Sequence, residues 1–248
     1  MRPETLPAKG EPVGHPDLPD LPDLPDLIVI GDSHSNALVE GCLAHGLRAE
    51  MLRFSGNFWH AGKLAFHPEH GIWITEPKSL QKQILDLRTR LGGRPVVGPD
   101  VPVLASMGFH LGRIVPPFGV LNHVTEARHF AADPKAQYVS QSLMDAYIGS
   151  ARGMHVRMAR RMAQAAKMVV IAPPVIGDIP NMATFRAAVM RRMQAVNLNV
   201  YDPMLDLYPD GRSLEDHLIT ADNRHGNAAY GTAVIGKLIE QGQISRRL

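Results

Sequence analysis

The chain has 248 residues, 45% of them hydrophobic and 20% charged, with a formal net charge of +2. That length suits one large α/β domain or two small ones, and so small a charge argues against nucleic acid or an anionic membrane as partner. The single cysteine, Cys42, excludes an internal disulfide framework.

In chain order, residues 1–26 come first and form a Pro-rich arm. PDLPDLPDLPDL at 16–27 places proline at every third position, which favours an extended polyproline-like conformation. The arm is expected to lie along the domain surface; its other use is as a strap that docks a second copy into a homo-oligomer. No apolar run has the length of a signal peptide core or of a membrane span of about 20 residues, so a cytoplasmic protein is expected, with one domain over 27–248.

LIVI at 27–30 is an all-apolar strand. A helix follows over 34–46, with Leu38, Cys42 and His45 near one face and Cys42 read as packing. A second strand is expected at 48–54, then a helix over 76–91 stopped by Gly92-Gly93. A third strand takes 101–107. Residues 138–167 read as a helix broken near Gly149 or Gly153, with Met154, Met158 and Met162 inward and Arg152, Arg157, Arg160 and Arg161 on the solvated side. MVVIAPP at 168–174 is a fourth strand, 182–196 a helix with the stripe Phe185, Val189, Met193 and Val196, and 198–202 a fifth strand. The last helix, 227–241, turns Val234, Ile235, Leu238 and Ile239 inward. Strands alternating with helices imply a parallel sheet covered on both faces. Such sheets bind ligands beyond the carboxyl ends of their strands, here just after 30, 54, 107, 172 and 202.

The first of these ends is Gly31-Asp32-Ser33-His34. A serine there can cap the helix that follows, or it can point its hydroxyl at the crevice beside a helix N-terminus that favours negative charge. Far away, Asp222-x-x-His225 precedes the last helix. An imidazole oriented by a carboxylate can take a proton from a hydroxyl; alternatively, His225 caps the last helix.

GDS directly after the first strand, with D-x-x-H just before the last helix, resembles the SGNH/GDSL hydrolase family over roughly residues 27–242. The resemblance implies a flavodoxin-like, three-layer α/β/α domain with about five parallel strands. It implies an activity among esterases, lipases, acyl hydrolases and acyltransferases, with Ser33 as nucleophile, His225 as general base and then acid, and Asp222 as the orienting carboxylate. The family places a glycine after the second strand, matched here by Gly56, whose backbone N–H would face the oxyanion beside that of Ser33. After the third strand it has G-x-N; Gly108 fits, and His110 stands where the family has asparagine. His110 is expected in the asparagine's role, with Asn57 as reserve donor. His34, Trp59 and Phe109 are the expected substrate contacts.

The loop NFWHAGKLAFHPEHGIW holds His60, His67 and His70. It lacks an HExxH pattern and a cysteine pair, so no metal is expected, and Phe58, Trp59 and Trp73 are read as a wall of the substrate pocket. Residues 108–137 have no clear periodicity and are expected to form a lid over Ser33, with Arg113 and Arg128 available to a charged substrate. No phosphate loop or dinucleotide fingerprint occurs, and no cofactor is expected. The expected function is a serine esterase acting on a short-acyl ester of a small molecule or saccharide. The alternatives are acyl transfer to a sugar or metabolite hydroxyl by the same three residues, and a non-catalytic binding domain of the same fold.

Overall fold

The computed structural model describes residues 24–246 except 56, 57, 59–63, 68, 121, 178 and 180. Most of the N-terminal arm, and Gly56, Asn57, Trp59 and His60, therefore lie outside the described residues.

Strand β1 (Leu27–Gly31) is wholly buried and leads into α1 (Ser35–Ala44) and β2 (Ala49–Arg53). A hairpin of β3 (Leu64–His67) and β4 (Gly71–Ile74) follows, then α2 (Lys78–Arg90) and β5 (Val103–Ser106). The next stretch carries the short α3 (Leu111–Ile114), α4 (Pro116–Val120), β6 (His123–Val124), α5 (Ala127–Ala132) and β7 (Gln137–Tyr138). The long α6 (Gln141–Ala165), β8 (Met168–Ile171), α7 (Met182–Gln194), β9 (Val200–Tyr201), α8 (Pro203–Leu207), a 3-10 turn (Asp216–Leu218) and α9 (Ala228–Glu240) complete the domain.

The main sheet has five strands in the order β2-β1-β5-β8-β9, and each pairing is parallel. Counted among themselves, these strands run 2-1-3-4-5, the flavodoxin-like order whose switch point falls between the first and third. Alternation along β1 builds the three layers. Leu27 and Val29 face Cys42, Val234, Ile235 and Leu238 of α1 and α9. Ile28 and Ile30 face Ile84 of α2, Met158 and Met162 of α6 and Phe185, Val189 and Met193 of α7. Cys42 is fully buried, and that burial pushes its thiol up to about 12. The fold is thus the three-layer α/β/α arrangement expected.

Gly31 is required where β1 ends: a Cβ there would collide with the Ser106 carbonyl. That close approach brings the two strand ends of the switch point together.

Four expectations are corrected. Helix α6 runs unbroken through Gly149 and Gly153; at Gly149 the Arg192 guanidinium packs close, 3.1 Å from where a Cβ would stand. Arg152 is not solvated but 1% exposed. Ile239 is 36% exposed, on the outer side of α9. His45 ends α1 at the surface and meets the Thr232 carbonyl, Nε2 to O 2.9 Å. Among the described residues, no helix is long and apolar enough to cross a membrane.

Candidate active site

Ser33 does not cap α1. The cap position belongs to His34, and no side chain fills it. The Ser33 hydroxyl is exposed and stands 2.7 Å from His225 Nε2. His225 Nδ1 lies 2.7 Å from Asp222 Oδ2. The carboxylate fixes the tautomer: Nδ1–H donates to it, and Nε2 is left to accept the serine proton. Nor does His225 cap α9, because Asn227 does so, its Oδ1 accepting from Tyr230 N at 3.2 Å.

The turn explains how residues three apart meet. Thr220 N donates to the His225 carbonyl at 2.9 Å, and Arg224 N donates to Asp222 Oδ1 at 2.9 Å. Thr220 Oγ1 donates to the same oxygen. The Thr220 hydroxyl, the Arg224 N–H and His225, in that order, hold the Asp222 carboxyl well below the usual carboxylate range. It therefore stays ionised wherever the imidazole works.

A second Asp–His pair lies at the floor. Asp32 is 8% exposed; its Oδ1 accepts from His34 N at 3.0 Å and Ser106 Oγ at 3.2 Å. Its Oδ2 stands 3.3 Å from His110 Nε2. His110 sits in the left-handed region, φ 41°. Arg152 fixes that conformation from α6, donating Nε–H to the Phe109 carbonyl at 2.9 Å and Nη2–H to the His110 carbonyl at 3.0 Å. Burial lowers the Arg152 guanidinium to about 10.

His34 links the two pairs. Its ring centroid is 4.8 Å from that of His225, while its N–H holds Asp32. Burial, ahead of the opposing pull of Asp32, keeps the imidazole below its usual value. Its buried Nδ1 has no protein partner among the described residues. Ser33 N–H likewise has no acceptor among them, although Ser35 N, Asn36 N and His34 N are all engaged within the turn.

Ser33, His34, Asp32, His110 and His225 open onto one cleft of about 630 Å³. One wall is Met107 and Phe109 to Arg113; the other is Pro173, Pro174, Ile176, Ile179 and Met182; Asn223 and Arg224 stand beside His225. The second wall begins directly after the strand end at 172, one of the places expected to meet a ligand, but none of its residues was singled out in the sequence. Buried Arg186 positions it, donating Nε–H to the Pro173 carbonyl at 2.7 Å while pairing with Asp202. Asn181 then ties this wall to the other side: its Oδ1 accepts from Thr125 N at 2.8 Å, and its Nδ2 donates to the His123 carbonyl at 2.8 Å.

His34 and Phe109 line the cleft as expected. The lid expectation is corrected. Only the start of 108–137 borders the cleft, and the rest folds into short elements beside it; Arg128 pairs with Glu126 at 2.9 Å. The wall expected from the histidine-rich loop is also corrected among the described residues. They form the β3–β4 hairpin, where Trp73 stacks on His70 at 4.5 Å, and none of them lines the cleft. His67, Glu69 and His70 bring one ligand-type atom each within 4.8 Å of one another on that hairpin. Arg88 Nη1, 3.1 Å from His70 Nδ1, sets a positive charge against them.

No family model matches the chain, and no curated protein matches it. Among solved structures, it is similar to the psychrotrophic esterase EstA from Pseudoalteromonas sp., in a structure inhibited by monoethylphosphonate. The two share 13% sequence identity with a TM-score of 0.39, over 88% of this chain and 98% of that one.

Proposed function

We propose that the protein is a serine esterase of the SGNH/GDSL type that cleaves a carboxylic ester through an acyl-enzyme. The observation that carries this reading is the unbroken hydrogen-bonded line from Ser33 Oγ through His225 to Asp222, each link 2.7 Å. His225 Nε2 takes the Ser33 proton as Oγ attacks the ester carbonyl. The tetrahedral oxyanion forms beside the open Ser33 N–H at the start of α1; the Gly56 N–H, and His110 once it turns from Asp32 or gains a second proton, are the further donors. Collapse expels the alcohol, which receives the proton from His225. Water then enters, gives a proton to His225 and releases the acid, returning the hydroxyl to Ser33. Asp222 stays ionised and stabilises the imidazolium. An acyl group of acetyl size remains the expected acyl portion, and no cofactor takes part in these steps.

A fluorophosphonate probe tests the reading. Labelling of the native protein, lost in Ser33→Ala and weakened in His225→Ala, is expected alongside turnover of p-nitrophenyl acetate. A native protein that neither takes the probe nor hydrolyses any ester of an acetate-to-octanoate series overturns it. Product analysis with sugar alcohols present separates hydrolysis from transfer.

A further inference from the structure

The second wall of the cleft is apolar among its described lining residues: Pro173, Pro174, Ile176, Ile179 and Met182. Ile179 is 49% exposed, and Ile176 and Met182 are only partly buried. Apolar surface left open beside a nucleophile is surface a ligand can cover. The cleft, at about 630 Å³, is of a size that buries a drug-sized ligand, far more than an acetyl group fills.

On the first wall stands Gly112, exposed, in the helical turn α3. A Cβ there would meet nothing within 4 Å, and the residue has no positive φ. Neither packing nor backbone conformation calls for glycine, and glycine inside a helix costs stability against alanine. Its missing side chain leaves open space at the edge of the cleft. The second wall is also attached to the stretch that leads to His225. The Val175 carbonyl accepts from Leu214 N at 2.8 Å, and the Gly177 carbonyl accepts from Ser213 Oγ at 3.1 Å. That stretch runs on to the turn whose imidazole protonates the leaving alcohol.

We propose that the ester taken by this cleft has an apolar alcohol portion, an alkyl-substituted aryl group, laid against Ile176, Ile179 and Met182, and that Gly112 sets how large that portion can be. The inference rests on Ser33 being the nucleophile. The small acyl group stays at Ser33, and the bulk of the substrate lies on the His225 side.

A series of acetates tests this with the full-length protein: phenyl, para-ethylphenyl and para-butylphenyl acetate. The para-alkyl groups hardly change the acidity of the leaving phenol, so the series reads contact with the wall. The expected result is a rise of about tenfold in kcat/KM from the phenyl to the para-butylphenyl ester. Gly112→Leu is expected to bring that ratio close to one, Gly112→Ala to keep most of it, and Ile179→Ser to reduce it several-fold. Each ratio is taken within one protein, so a variant that folds only in part still reports it. A flat or falling series in the native protein overturns the inference, provided Ser33 still takes the fluorophosphonate and phenyl acetate still turns over. So does a ratio untouched by both Gly112→Leu and Ile179→Ser. A steeper rise along p-nitrophenyl acetate, butyrate and hexanoate, lost in Ile179→Ser, would give the wall to the acyl portion and overturn it as well. Loss of labelling together with all turnover instead sinks the esterase reading, and this inference falls with it.

Discussion

The cleft contains the same pair of residue types twice, in opposite settings. At the rim, Asp222 and His225 sit on an exposed turn, 2.7 Å apart, and the second imidazole nitrogen meets a serine hydroxyl. At the floor, Asp32 and His110 are buried, 3.3 Å apart, and His110 is held in a left-handed conformation by carbonyl contacts to Arg152. What an aspartate–histidine pair can do is thus decided by what its free nitrogen faces and by how the backbone is anchored. The rim pair has a proton to move. The floor pair ties the end of β1 to the end of β5 at the switch point.

The largest expected effect breaks the rim pair. Asp222→Asn keeps a hydrogen bond to the ring but favours the wrong tautomer, so kcat should fall on the order of 10⁴-fold. The melting temperature should change little, because the turn is exposed. Asp32→Asn should do the reverse in emphasis, lowering the melting temperature. Next in size is His110. A lone pair on Nε2 would face the Asp32 carboxylate, so Nε2 carries the proton, and a neutral ring then offers only an acceptor at Nδ1. To donate to an oxyanion, His110 must swing away from Asp32 or gain a second proton. An asparagine needs neither, and it tolerates the left-handed backbone. His110→Ala is expected to cost about 10²–10³ in kcat, while His110→Asn should stay within about tenfold of the native rate. Equal rates for all three forms would confine His110 to anchoring the floor.

The rim pair was legible in the sequence and the floor pair was not. Asp222-x-x-His225 is a local spacing, and a tight turn with Asn223 at φ 54° closes it without help from the rest of the chain. The strands were legible for a similar reason: LIVI is apolar at every position because both of its faces are covered. Arg152 was misread because helical position alone puts a charged residue in solvent. Its burial follows from the carbonyls of Phe109 and His110, some 43 residues earlier and brought close only by the tertiary fold. The strand end at 172 was legible as a ligand site, but the residues of the wall beyond it were not, since its course is set by Arg186 on the following helix and by Asn181 of the wall itself bonding to the distant His123. The β3–β4 hairpin was read as loop because Pro68 and the histidines hide two four-residue strands.

Removing Arg152 tests the floor's anchor. Arg152→Met fills similar volume but leaves the Phe109 and His110 carbonyls without these donors, at about 1–3 kcal/mol for each carbonyl left unsatisfied. The melting temperature should drop accordingly. If activity falls too, restoring it with His110→Asn, which tolerates the left-handed backbone better and still offers a donor, would show that Arg152 acts through conformation rather than charge.

The smallest effect concerns His34, the residue that touches both pairs. Burial lowers its imidazole below the usual value, with Asp32 and Asp222 pulling up and His225 pushing down. Below about pH 6.5 the unfolded chain therefore binds a proton that the folded protein refuses. Stability should fall as pH drops from there, until the folded imidazole also titrates. His34→Gln cannot take that proton, so its melting temperature should decline less between about pH 6.5 and 5 than that of the native protein. The comparison is best made in a His225→Gln background, which removes the neighbouring imidazole. Parallel curves for the two proteins would mean that His34 is solvated well enough to protonate in place, and the link it forms between floor and rim would then be one of contact without electrostatic consequence.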